Sequence, residues 1–241
     1  DNQSSSYDNE SCFWSNTPDI DFYMDEQPWV LGQFVWTGFD YLGEPSPYDT
    51  DAWPSHSSVF GIIGLASLPK DRYYLYRSQW NKDDATLHVL PHWNWKGREG
   101  EVTPVFVYTS YPKAELFING KSRGVREKND STLQTRYRLM WNETRYEPGE
   151  LKVVAYDKDG NRAAEKIVKT AGKPHHLVVT SNTDKLAANG DDLAYLTVQV
   201  ADKDGNIVPT DSRRVKFNVT GAGSFEATAN GDPTCILPFQ N

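Results

Sequence analysis

From about residue 85 onward, apolar and polar residues alternate with a period of two. Tyr137, Leu139 and Trp141 alternate with Arg138 and Met140; Leu151, Val153 and Ala155 alternate with Lys152 and Val154. Successive side chains of a strand point to opposite faces, so this period marks one face for a core and one for solvent. Strand-like runs recur at 85–90, 102–110, 114–118, 133–141, 150–156 and 163–170. They are divided by the turn-forming pairs Asn119-Gly120 and Pro148-Gly149 and by Asp159-Gly160-Asn161. Short strands at this spacing predict an immunoglobulin-like β-sandwich over 81–172. A second group follows Gly172-Lys173-Pro174, with strands expected at Leu177–Ser181, Leu193–Ala201 and Arg214–Val219. It predicts a second sandwich over 173–241, which is short of strands and looks incomplete.

Residues 1–80 have another texture. The run Trp29–Trp36 is apolar on both alternating sets, as in a strand buried on both faces. Lys70–Trp80 reads as a helix with Pro69 at a plausible first position; Tyr73, Tyr76 and Trp80 would share a face.

Charge sharpens this division. Residues 1–78 hold twelve Asp/Glu against three Lys/Arg, giving −9, while the remainder is +1; the first cation is Lys70. Phosphate backbones need a basic footprint, which argues against nucleic acid as a partner. The mean hydropathy of −0.66, with no apolar run near the ~18 residues of a span, argues against a membrane. Trp14, Trp29, Trp36 and Trp53 lie among these carboxylates, a mixture suited to neutral, polar, ring-shaped ligands such as sugars. Cys12 and Cys235 are too few for a disulfide framework or a metal site, and we expect two unpaired thiols.

The repeated DKDGN at 157–161 and 202–206 begins like a calcium loop. Its glycine falls at the fourth position rather than the sixth, and Val168 or Arg213 stands where a bidentate Glu is required. A hairpin turn is the better reading. Of the five histidines only His88 and His92 are four apart, and they fall in a β-patterned segment broken by Pro91; there is neither a G-x-S-x-G elbow nor a phosphate-cradling glycine loop, so no metal and no cofactor is expected. Asp40 and Glu44 form the first carboxylate pair to consider for sugar hydrolysis. Neighbours on one loop seldom flank a glycosidic bond from both sides, so Asp40 reads better as a loop brace and Glu44 as an extended loop residue. Trp36 divides evenly between a core residue and a ring for stacking on a sugar.

PWVLGQFVWTGFDYLGEPSPY (28–48), WPSHSSVFGI (53–62) and PKDRYYLYRSQW (69–80) resemble glycoside hydrolase family 2, and within it the Bacteroides-type β-galactosidases. LHVLPHWNWKGREGEVTPVFVYTSYPKAELFINGKSRG (87–124) looks like that family's fourth, immunoglobulin-like domain. LTVQVADKDGNIVPTDSRRVKFNVTGAGSF (196–225) is similar to its adhesin-like fifth domain. The resemblance implies a mainly β chain in which two tandem immunoglobulin-like sandwiches follow the last strand and helix of a (β/α)₈ barrel. The barrel remnant would occupy 1–80, with sandwiches at 81–172 and 173–241. Both catalytic glutamates of the family would lie upstream of Asp1, so no catalytic residue carries over. Trp36 matches the aromatic platform at the end of the last barrel strand, followed in the family by a non-proline cis peptide. Asp40 carries over as a loop brace or a distant substrate contact. Gly64 departs from the acidic residue of FGIIDL-like relatives, which puts one local hydrogen bond in doubt.

The implied parent is a retaining exo-β-glycosidase acting on terminal β-galactosides, periplasmic or extracellular, with a carbohydrate as its partner. The extra sandwiches would serve homo-oligomer contacts or shape the active-site entrance. The alternative is a non-enzymatic carbohydrate-binding or adhesin-like module of tandem sandwiches. Such a module has no use for an orphan barrel strand, so residues 1–78 discriminate.

Overall fold

The computed structural model describes residues 17–43 and 56–240. The readings placed on Cys12, Trp14, Glu44 and Trp53 lie outside them.

The chain is mainly β. Strands β1 (Leu87–Leu90), β2 (Val105–Thr109) and β5 (Leu139–Trp141) form an antiparallel sheet in the order β1-β2-β5. Strands β3 (Lys113–Ile118), β4 (Lys121–Glu127), β6 (Glu150–Tyr156) and β7 (Arg162–Lys169) form a second one, ordered β4-β3-β6-β7. Val107 and Leu139 of the first sheet meet Leu116, Leu151 and Val153 of the second in one core with Trp93 and Trp141. Each such side chain, fully buried, stabilises by about 1.5–3 kcal/mol. The alternation of β3 is what aims Ala114, Leu116 and Ile118 inward while Lys113, Glu115 and Phe117 stay partly exposed.

Strand β2 departs from alternation because both its faces are covered. Val105 and Val107 enter the sandwich core, whereas Tyr108 turns outward into a second cluster with Leu90, Phe22, Leu75, Tyr76 and Tyr137. The outer cover comes from two helices, α1 (Pro18–Asp25) and α2 (Asp71–Trp80). Helix α2 forms where the spacing predicts it, but with a different buried stripe. Arg72, Leu75 and Tyr76 are buried, while Trp80 is 49% exposed. Helix α1 is unanticipated. Its signal is Thr17-Pro18 followed by Asp19 and Asp21 in the first turn, where proline and negative charge are favoured.

In the sandwiches two strand expectations fail and one strand is unanticipated, each for an identifiable reason. Residues 133–137 are a short helix, α3 (Leu133–Tyr137), because Thr132 and Thr135 close a reciprocal capping box at its start. Strand β4 has no apolar alternation and was not predicted. It is an exposed edge strand, and the Asn119-Gly120 hairpin sets it against β3, with φ of 49° and 76° at the turn. Residues 214–219 are not a strand, and the last sheet consists of β8 (His176–Ser181) and β9 (Leu196–Ala201).

Both DKDGN segments are turns. Asp157 Oδ1 accepts from the backbone N–H of Asp159 (2.9 Å) and Asn161 (2.8 Å). Asp202 repeats this with Asp204 and Asn206 and also accepts from Gly172 N–H at 2.7 Å. These N–H groups hold the Asp202 carboxyl far below the usual range, the bond from Gly172 first among them. The carboxylate that a calcium ion would need is thus spent on the turn and on the residues leading into the second sandwich.

Lys128, just after β4, is half-buried, and its Nζ donates to Thr109 O at 2.5 Å. Burial, reinforced by the charge of Lys82, lowers its pKa from 10.5 to about 8. Between those values the unfolded chain holds a proton that the fold has released, so this group makes stability rise with pH there. Below about pH 8 the fold carries the buried charge at full penalty. Relative to Lys128→Gln, the native chain should therefore gain on the order of 1 kcal/mol per pH unit across this window. Urea melts at pH 8 and pH 10 with an unchanged difference would refute this.

Candidate functional site

The site is built where Trp36–Gly43 runs beside 56–63. Ile62 N–H donates to Thr37 O (3.2 Å), Ile63 N–H to Gly38 O (2.9 Å), and Asp40 N–H to Ile63 O (2.9 Å). Farther along, Ser58 N–H donates to Tyr41 O (2.9 Å) and Gly43 N–H to His56 O (3.2 Å). Isolated bridges join Phe39 to Ile63 and Leu42 to Ser57. The segment before it, 30–35, is not a strand. Leu31 and Phe34 are fully exposed and Trp29 is 72% exposed, while Val35 packs on the outer cluster. An apolar run of this kind is buried only when neighbouring strands cover it.

Trp36 is not a core residue in this chain: it is 75% exposed, and the Trp36–Thr37 peptide is cis. Its ring meets Tyr41 edge-on at 6.3 Å, and Tyr41 in turn meets Phe60 at 5.9 Å. The indole is thus steadied from beneath with its surface open to solvent, an arrangement suited to stacking.

Asp40 is buried and committed on both oxygens. Oδ2 pairs with Lys70 Nζ at 2.6 Å, and Oδ1 accepts from Gly61 N–H at 2.8 Å. Lys70 Nζ also donates to Val59 O at 2.9 Å. Burial lowers the Lys70 pKa while the hydrogen bond to Asp40 opposes that shift. A carboxylate so enclosed has no oxygen left for proton transfer to a substrate. Its work is to tie 40, 59–61 and 70 together. Gly61 makes this closeness possible, because a Cβ there would lie 2.3 Å from Asp40 N and 2.4 Å from Phe39 C. Gly64 lies next to the same lysine, with a Cβ position 3.9 Å from Lys70 Cε; an acidic residue there would put a second carboxylate beside Lys70.

Lys70 is the residue that sequence reasoning missed, although the first cation after sixty-nine residues of acidic chain is a signal. Nothing local links Asp19 with Arg138, yet their side chains form a buried ion pair, 2% and 1% exposed. Beside it, Glu26 accepts from Tyr137 Oη at 2.9 Å and pairs with Arg136. Phe22 sits edge-on to Tyr76 (5.4 Å) and Tyr137 (5.2 Å). Helix α1, which leads into the Trp36 segment, is therefore bolted to the first sandwich through charge and aromatic packing.

The C-terminal residues also return here. His56 N–H donates to Pro233 O at 2.9 Å. Leu42 and His56 with Ile236, Leu237 and Phe239 line an apolar cavity of about 350 Å³.

Comparison with known proteins fits this architecture. Residues 100–164 match a domain of unknown function, DUF4982, and residues 177–241 match glycoside hydrolase family 2 C-terminal domain 5. The chain is 41% identical over 238 residues to the β-galactosidase BoGH2A of Bacteroides ovatus, covering 98% of this chain and 27% of that protein. It is 32% identical to a putative β-glucuronidase of Formosa agariphila, covering 95% of this chain and 22% of the relative. A crystal structure of a β-glycosidase from Bacteroides vulgatus superposes with a TM-score of 0.83 at 34% identity, over 98% of this chain and 28% of that one. The chain spans about a quarter of the length of these relatives. Its sheets and these matches agree: the chain belongs to glycoside hydrolase family 2 and corresponds to a C-terminal portion of its members.

Proposed function

We propose that this chain is the C-terminal part of a retaining exo-β-glycosidase of β-galactosidase type. Residues 1–80 supply the closing strand and helix of a catalytic barrel, and 81–172 and 173–241 are accessory β-sandwiches. The observation that carries this reading is the 41% identity to a β-galactosidase sustained over 98% of the chain. The unpaired apolar run ending at Trp36 supports it too, since a barrel strand needs neighbours on both sides.

In the parent, one carboxylate attacks the anomeric carbon as a carboxylic acid protonates the departing oxygen; water then releases the sugar from the glycosyl-enzyme. Both groups would come from outside these residues. This chain's own contribution is to hold a sugar face on Trp36, with Asp40 positioning that ring through Lys70 and Gly61. Galactosides are the substrates we assign; the named relatives act on galactosides or glucuronides, which makes specificity the point to test.

The test is hydrolysis of 4-nitrophenyl β-galactoside and β-glucuronide by the parent polypeptide, by its Trp36→Ala variant and by the present chain alone. We expect the parent to prefer the galactoside. Trp36→Ala should lower kcat/KM about tenfold, and the chain alone should show nothing above a heat-killed blank. Turnover by the chain alone would overturn the fragment assignment.

A further inference from the structure

On the first sandwich, away from Trp36, the seam between β4 and β5 carries a groove of about 250 Å³. Arg123, Arg126, Arg145, Glu143 and Glu147 line it, with Trp141 below. Several surface arginines of this chain pair with carboxylates, as Arg98 does with Glu101 and Arg162 with Glu165. In the groove only Arg123 does so, with Glu147. Arg126 is instead held by main-chain oxygens, Nε to Met140 O at 3.1 Å and Nη1 to Val125 O at 3.3 Å. Arg145 is held likewise, Nη1 to Gly100 O at 2.7 Å. Among the described residues neither has a carboxylate partner.

Carbonyl anchors orient a guanidinium without neutralising it. The Arg126 guanidinium also lies 6.0 Å from the centre of the Trp141 ring, whose Nε1–H is fixed on Gly124 O at 3.0 Å. The two side chains thus present charge and N–H groups at fixed positions on one concave surface, which is how planar carboxylates are recognised. Glu143 and Glu147 add acceptors beside these donors. A bare inorganic anion would be repelled by them, whereas an anion rich in hydroxyl groups can donate to them. The net charge of −8 supplies no long-range attraction for a polyanion, so affinity must come from this local geometry.

We propose that this groove binds the carboxylate of an acidic saccharide, a uronic-acid unit, at a position separate from the Trp36 site. That the ligand is a saccharide rests on the β-glycosidase reading; its carboxylate does not.

The experiment is a calorimetric titration of the 241-residue chain with oligogalacturonate, a neutral galacto-oligosaccharide and dextran sulfate. Oligogalacturonate should bind saturably, and the neutral sugar should not. Arg145→Gln and Arg126→Gln should each weaken binding about tenfold or more. Arg126→Lys should weaken it too, since it keeps the charge but loses the fork. Arg162→Gln, on β7, should leave it unchanged. If Arg126→Gln disturbs the fold, as circular dichroism would show, Arg145→Gln decides alone, because among the described residues that exposed side chain is anchored to Gly100 O and to no other group. The proposal is overturned by absence of saturable binding or by equal binding of the neutral sugar. An equal loss in Arg162→Gln also overturns it, as does tighter binding of dextran sulfate that Arg145→Gln leaves unaltered. Failure of the glycosidase reading would appear instead in the hydrolysis assay, which this titration does not involve.

Discussion

Replacing Gly61 by alanine is expected to destabilise the chain by roughly 3–5 kcal/mol, the largest loss from adding a single methyl group to the site. The added Cβ would sit 2.3 Å from Asp40 N, 2.4 Å from Phe39 C and 2.8 Å from Asp40 Oδ1. Two of those three atoms belong to the backbone, so no change of rotamer relieves the overlap. One segment must move away from the other, at about 1–3 kcal/mol for the overpacking itself. That movement also breaks the Gly61 N–H bond to Asp40, a buried bond to a charged acceptor worth about 1.5–3 kcal/mol. The consequence extends to Trp36, because Ile62 N–H holds Thr37 O, the residue after the indole. Gly38→Ala is the control, since a Cβ there meets nothing within 4 Å. Denaturant melts should separate the two variants widely. Equal midpoints would mean that the 40–61 contact does not determine the fold here.

The second large effect is expected at Asp19 and Arg138. Both side chains are almost wholly buried, and burial pushes the Asp19 carboxyl up against the opposing pull of Arg138. Arg138→Ala or Asp19→Ala alone breaks the buried pair between α1 and the residue before β5, at about 3–5 kcal/mol, with Arg72 the cation left near Asp19 in the first case. Replacing both, as Asp19→Leu with Arg138→Met, removes both halves of the pair and should recover most of the loss. A double variant as unstable as either single one would show that the pair is no closed unit. Because α1 precedes the Trp36 segment, the single variants should also raise hydrogen exchange over 29–41 relative to 151–156, by loosening the anchor of one end.

The comparison of chain and structure divides along the range of the interactions. Strands β3, β6 and β7, helix α2 and both DKDGN turns are legible from periodicity and turn chemistry, because short stretches decide them. The Asn119-Gly120 turn is legible as well, but the strand β4 that follows it is not, because its mostly exposed residues carry no alternation. Propensity misread 133–137, where a four-residue cap outweighs a strand-like pattern. It also misread 29–36, an apolar run that forms no strand and leaves Trp29, Leu31 and Phe34 exposed. No local rule could join Asp40 to Lys70, Asp19 to Arg138 across 119 residues, or His56 to Pro233.

The sequence by itself therefore determined the β-rich class, the family resemblance and Trp36 as the ring to watch, all features written in contiguous residues. Only the tertiary structure decided that Asp40 is spent on Lys70, that Trp36 faces solvent and that arginines on β4 and after β5 converge on one groove. Charges and rings acquire those roles from neighbours distant in the chain, and burial alone sets whether a carboxylate braces a loop or meets a ligand.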